Sequence, residues 1–137
     1  MVREASVKDA YYIHLLDSSI FEDSLGLTFI TNDLEKNSLA HYFVYEENDE
    51  IVGYIGSWVS DNTTILNFCV KKEYRGKGIG RLLLEEVLNI KEGSITLEVR
   101  KSNLKAISFY EKNGFQSVLI RPNYYSNGED AILMLRK

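Results

Sequence analysis

The chain is 137 residues long, 45% hydrophobic and 26% charged, which suits one globular domain with a two-layer core and leaves no length for a second. Its net charge of −4 argues against broad, phosphate-driven binding of nucleic acid, and one cysteine with two histidines excludes an internal disulfide and is poor material for a metal site. The charged start shows no apolar leader pattern, no run approaches a membrane span, and there is no repeat or low-complexity tract, so a cytoplasmic protein is expected.

Val2 to Ala5 reads as a short first strand. Ser6, with Asp9 three residues later, reads as a capping box opening a helix whose inner face is Ala10, Ile13 and Leu16. From Asp17 to Leu39 the apolar residues scatter around Gly26, which predicts a loop and a short helix near Asn32 to Leu39. Tyr42 to Tyr45 and Ile51 to Val59 are rich in β-branched and aromatic residues, and the polar stretch Glu46 to Glu50 between them predicts an antiparallel hairpin. Asp61-Asn62 then turns the chain into a third strand, Thr64 to Val70.

After Val70 the apolar period becomes helical, with Ile79, Leu82, Leu83, Val87 and Ile90 on one face of a helix ending near Glu92-Gly93. Ser94 to Arg100 is the next strand. Ser102 is an N-cap for a helix through Asn113, with Gly114 as the residue just past its end. Phe115 to Ile120 and Ala131 to Leu135 form a closing strand pair around a tyrosine-containing loop. The order β-α-α-β-β-β-α-β-α-β-β requires an α/β fold: a mixed, mostly antiparallel sheet with one right-handed parallel crossover and helices on both faces.

Arg75-Gly76-Lys77-Gly78-Ile79-Gly80 lies between the third meander strand and the amphipathic helix. Glycines let backbone approach a ligand, and amides at a helix N-terminus meet phosphate oxygens with a favourable dipole. From Lys71 to Arg81 five basic residues face one acid, a local charge of +4 in an acidic chain, which points to an anionic ligand. A Walker loop is excluded because Arg81-Leu82 follows where Lys and Ser or Thr belong, and a Rossmann loop because several strands precede it. A plain glycine turn in a basic surface is the competing reading.

The pattern R-x-x-G-x-G after Asn67-Phe68-Cys69-Val70 resembles the coenzyme A signature of the GNAT (Gcn5-related) N-acetyltransferases. Leu97-Glu98-Val99-Arg100, Ser102-Asn103, Phe109-Tyr110-Glu111-Lys112-Asn113-Gly114-Phe115, and Asn123-Tyr124-Tyr125 through Gly128-Glu129-Asp130-Ala131 are similar to the RimI-type ribosomal-protein N-terminal acetyltransferases. The likeness runs from about Ile51 to the C-terminus. Before it, the Phe-Pro-Trp type segment common in that group is replaced by Phe21-Glu22-Asp23-Ser24, in the stretch that shapes the acceptor groove.

The resemblance implies a GNAT fold over residues 1–137, with a central parallel strand pair that splays apart. It implies acetyl-CoA as cosubstrate, no metal, and a peptide or protein N-terminus as acceptor, a ribosomal protein among the candidates. By resemblance Phe68, Cys69 and Val70 offer backbone groups to the cofactor, and Arg75, Gly76, Lys77, Gly78, Ile79, Gly80 and Arg81 hold its pyrophosphate. Cys69 is otherwise a small buried hydrophobe rather than a nucleophile. Asn103 is either a cofactor contact or a helix cap. Glu98 matches the residue that takes the acceptor's proton, against an ordinary strand acid, and Tyr110 matches the donor to the departing thiolate, against ordinary packing. Tyr124 and Tyr125 bind the acceptor backbone by resemblance, or simply clasp the loop; His14 and His41 receive no role.

Two further functions compete: a GNAT enzyme for a small amine, polyamine or aminoglycoside, and a coenzyme A-binding regulatory module without catalysis. No direct nucleic-acid or membrane partner is expected, and composition leaves monomer and homodimer both open.

Overall fold

The computed structural model describes Met1–Lys137. One seven-stranded sheet runs in the order β1-β2-β3-β4-β5-β7-β6, built from β1 (Val2–Glu4), β2 (Ala40–Glu47), β3 (Glu50–Val59), β4 (Thr63–Val70), β5 (Ile95–Arg100), β6 (Gln116–Arg121) and β7 (Ala131–Arg136). The helices are α1 (Ala10–Ile20), α2 (Leu27–Lys36), α3 (Ile79–Leu88) and α4 (Leu104–Lys112). All strand pairs are antiparallel except β4 with β5, as the mixed-sheet expectation requires.

Each face of the sheet carries its own core. On one, Ala10, Ile13 and Leu16 of α1 and Ile30 of α2 pack on Tyr42, Val44, Tyr54 and Cys69. On the other, Ile79, Leu83, Leu84 and Val87 of α3 and Tyr110 of α4 pack on Val52, Ile55, Ile65, Leu97 and Val99. Each fully buried aliphatic side chain contributes roughly 1.5–3 kcal/mol. Leu82, placed by periodicity on the inner face of α3, is 45% exposed, and Leu84 takes the buried position instead. Glycine is needed where elements meet closely: a Cβ on Gly56 would lie 2.8 Å from the Tyr42 ring, and one on Gly53 would lie 3.2 Å from Leu83.

Three helix starts differ from expectation. The Asp9 carboxylate does accept the Ser6 amide at 2.8 Å, but it closes a single 3-10 turn before α1 begins at Ala10. Asp9 also receives both Arg3 Nη atoms at 2.9 Å, tying β1 to this turn. α2 spans Leu27–Lys36 rather than 32–39. The run Thr28-Phe29-Ile30-Thr31 has weak helix propensity and Gly26 offers no capping side chain, so tertiary contacts hold this helix: Ile30 is fully buried, and Asp33 accepts from Tyr42 Oη and Trp58 Nε1, both at 2.7 Å. α4 is capped by Asn103, whose Oδ1 accepts the Ala106 amide at 3.2 Å, not by Ser102.

The sheet has one discontinuity. β4 and β5 pair only at Thr63↔Ile95 and Thr64↔Thr96. Beyond that point β4 pairs with β3 alone and β5 with β7 alone, so Ile65–Val70 and Leu97–Arg100 border a wedge. No helix is long and apolar enough to cross a membrane.

Candidate active site

The wedge opens into two cavities, of about 480 Å³ and 540 Å³, that share Phe68, Arg75, Asn103, Ala106 and Tyr110 in their walls. The first is walled by the glycine loop. Gly76 (φ +79°) and Gly78 (φ +83°) are left-handed, and a Cβ on either would meet nothing within 4 Å, so the backbone there lies open to a ligand. Gly78 caps α3, leaving the amides of Ile79, Gly80 and Arg81 with no carbonyl one turn behind to receive them. Phe68 and Phe109 lie 3.6 and 3.7 Å from the Cβ position of Gly80 and form an apolar wall beside the glycine loop.

The local charge of +4 is less concentrated than the sequence suggests. Lys71 pairs with Glu50, Arg75 Nε donates to the Val70 carbonyl at 2.8 Å, and Arg81 pairs with Glu85 at 3.1 Å. Lys77 sits over the Tyr74 ring at 5.3 Å and does not line the cavity. The other residues expected around the cofactor, Phe68, Cys69, Val70, Arg75, Gly76, Gly78, Ile79, Gly80, Arg81, Asn103 and Tyr110, all line it. Cys69 is 7% exposed, and burial followed by the charge of Asp17 pushes its thiol far above the ordinary range, which suits a packed side chain rather than a nucleophile.

Tyr110 lies where the cavities meet. Its ring is packed among Phe68, Phe109 and Phe115 at centroid distances of 6.2, 5.6 and 5.5 Å. Burial raises its phenol well above the usual tyrosine value, so it stays a proton donor across the neutral range. Glu98, half-buried on β5, lines the second cavity, with Arg121 Nε 3.7 Å from its Oε2. Tyr125 lines the same cavity, and its hydroxyl is pushed up to about 12 by burial and by Tyr124. Tyr124 is 51% exposed outside the wall, with its phenol raised by burial and by the neighbouring Glu98.

Four side chains that received no role from the sequence organise this second cavity. Arg100 Nη2 donates to Asp23 Oδ2 at 2.9 Å, Nη1 donates to Glu129 Oε1 at 3.0 Å, and the guanidinium lies 4.1 Å over the Tyr125 ring. Asp23 Oδ2 also accepts the Ser126 amide at 3.2 Å, and Glu129 Oε2 the Ser102 amide at 2.9 Å. One cation thus staples the α1–α2 loop to the β6–β7 loop across the cavity mouth. The acids that replace the Phe-Pro-Trp type segment were the signal for it: Glu22-Asp23 needs a partner, and Arg100 is the partly buried cation available. Asp17, fully buried on α1, is the fourth, joining Tyr54, Asn67 and the Leu25 amide.

Residues 38–117 match the acetyltransferase (GNAT) domain family. A Bacillus subtilis protein provisionally named [ribosomal protein bS18]-alanine N-acetyltransferase is 37% identical over 139 residues, covering 97% of this chain and 92% of its own. The crystal structure of Ard1 from Thermoplasma volcanium superposes with a TM-score of 0.90 at 30% identity, covering 99% of this chain and 95% of its own. Arabidopsis thaliana Naa50, solved in complex with the bisubstrate analogue CoA-Ac-MVNAL, gives a TM-score of 0.85 at 26% identity, covering 100% of this chain and 97% of its own. A splayed β4–β5 wedge, a glycine loop opening α3 and a matching sequence over most of the chain make this protein an N-acetyltransferase that belongs to the GNAT family.

Proposed function

We propose that the enzyme transfers an acetyl group from acetyl-CoA to the α-amine of a peptide or protein N-terminus. The observation that carries this reading is the meeting of two cavities at Phe68 and Tyr110, one walled by the glycine loop and the other by Glu98 and the tyrosine rim. Acetyl-CoA supplies the activated acyl group. Open amides from Gly76 to Arg81 hold its phosphates, and the unpaired β4 edge from Phe68 to Val70 receives its pantetheine arm, with the Val70 amide polarising the thioester carbonyl. Glu98 takes a proton from the acceptor ammonium, directly or through water. The neutral amine attacks the thioester carbon, a C–N bond forms as the C–S bond breaks, Tyr110 Oη gives its proton to the departing sulfur, and the second proton shed by the amide nitrogen restores the Tyr110 phenol through water.

An α-amine of pKa about 8 is roughly one-tenth neutral at pH 7, whereas a lysine of pKa about 10.4 is neutral at a few parts in ten thousand. A carboxylate such as Glu98 therefore suffices for a protein N-terminus. The rim of Tyr124, Tyr125 and the Arg100 staple gives the acceptor backbone a bounded entry. An N-terminal alanine of a ribosomal protein, the substrate in the Bacillus subtilis relative's name, is the first acceptor to try, and a cytoplasmic site of action fits it.

The test is an acceptor panel read by mass spectrometry: peptides with a free N-terminus, blocked peptides carrying only lysine, and polyamines. Acetylation on the α-amine is expected. Acetyl groups chiefly on lysine or on polyamines overturn the acceptor assignment, and acetyl-CoA binding without transfer to any amine overturns the catalytic one.

A further inference from the structure

We infer that Asn67 binds the acceptor's α-amine, presenting its side-chain oxygen to an amine N–H from the wall opposite β5. The inference rests on the N-terminal acceptor reading above and assigns a further residue to that site. It starts from an irregularity in β4. Gly56 pairs with Asn67 and Ser57 with Ile65, so Leu66 is an extra residue on β4, a β-bulge placed just where β4 and β5 part. Ile65 packs into the α3–α4 core and Leu66 against the α1–α2 core, so strict alternation would send Asn67 back toward α3 and α4. The bulge shifts the phase by one residue and turns Asn67 toward α1, where Cys69 also points.

On that face Asn67 meets Asp17. Its Nδ2 donates to Asp17 Oδ1 at 2.8 Å, an oxygen that also accepts from Tyr54 Oη at 2.5 Å, while Oδ2 accepts the Leu25 amide at 2.7 Å. Three donors converge on a fully buried carboxylate. A carboxylate accepts and does not donate, so the amide of Asn67 has one permitted orientation, with nitrogen on Asp17 and oxygen turned away. Oδ1 takes no hydrogen bond inside the protein, yet His14 Nδ1 is the sole buried side-chain nitrogen or oxygen left without a partner. Asn67 Oδ1 is therefore not sealed inside the core, and Asn67 lines the cavity of Glu98, Tyr110 and Tyr125.

A buried carboxylate thus spends its charge on aiming a neutral acceptor at the place where an amine must lie between Glu98 and the thioester. Once Glu98 has taken one proton, the amine still carries N–H groups that need acceptors. Asn67 Oδ1 receives one of them and so helps direct the nitrogen lone pair. Its neutrality matters, because a second free carboxylate there would favour the unreactive ammonium.

The experiment measures, by calorimetry on the CoA-loaded protein, the affinity of a short peptide beginning with alanine and of its des-amino analogue. Wild type is expected to prefer the amine. Asn67→Leu, near in size and without an acceptor, is expected to weaken the amino peptide about 10- to 100-fold and leave the des-amino peptide unchanged. Asn67→Ala, which cannot overpack, is expected to do the same, with the thermal shift by acetyl-CoA intact in both. Equal weakening of the two peptides, or no change in either, overturns the inference alone. A wild-type protein indifferent to the amine overturns it together with the N-terminal acceptor reading.

Discussion

Gly78→Glu separates cofactor binding from folding. Gly78 has φ +83° and ψ 5° at the start of α3, and a Cβ there would meet no atom within 4 Å. The cost to the fold is thus the left-handed backbone of a non-glycine residue, about 1–2 kcal/mol. For 137 residues the unfolding entropy is about 290 cal/mol/K, so each kcal/mol moves Tm by about 3.5 °C and the variant should melt roughly 3–7 °C below wild type. Acetyl-CoA at about 100 times its Kd stabilises wild type by roughly 2.7 kcal/mol, close to 9 °C. Gly78→Ala carries the same strain without a carboxylate among the open amides. Thermal scans with and without acetyl-CoA should show a large shift for wild type, a reduced one for Gly78→Ala and none for Gly78→Glu. A full shift in Gly78→Glu would refute phosphate binding at this loop, and a Tm drop far beyond the strain cost would refute the open geometry.

Glu98→Gln should lower turnover about 10²–10⁴-fold and remove the acidic limb of the pH profile, while Tyr110→Phe lowers kcat with cofactor binding retained; unchanged turnover in both would assign proton transfer to other groups. Arg100→Met should release the α1–α2 loop from the β6–β7 loop and reduce peptide kcat/KM roughly tenfold or more, with the acetyl-CoA shift intact. Arg100→Lys should rescue little, because one ammonium cannot span Asp23 and Glu129 while stacking on Tyr125. Alkaline stability tests the buried thiol and phenols. Burial, first among the causes, raises Cys69, Tyr42, Tyr54 and Tyr110 above unfolded values near 9 and 10. Above those values the unfolded chain releases protons that the folded one retains, so stability is full below about pH 9 and falls as pH rises, on the order of 1.4 kcal/mol per pH unit for each group past its unfolded value. Denaturant melts between pH 8 and 11 read this slope, and a flat profile would contradict the burial of these groups.

The order of elements and the glycine loop were legible in the residues, because each rests on local physics, whereas roles for Glu98 and Tyr110 came only from the resemblance to the GNAT family. Alternation marks strands, a 3.6 period marks α3, and glycines mark a loop that must adopt positive φ. α2 lay beyond that kind of evidence, since Ile30 and Asp33 hold it against Tyr42 and Trp58 in spite of weak propensity. Lys71 and Lys77 counted toward a basic cradle by nearness in sequence, but Glu50 and the Tyr74 ring draw them off. Chain-local pattern determined the fold class and the glycine loop, and the motifs pointed to the family. Tertiary structure alone decided the walls of the second cavity. The Leu66 bulge reverses the face of Asn67, Asp17 aims its amide from 50 residues away, and Arg100 binds Asp23 and Glu129 at separations of 77 and 29 residues. A strand's period of two carries no mark of an inserted residue, and a charge carries no mark of its distant partner until the sheet has brought them together.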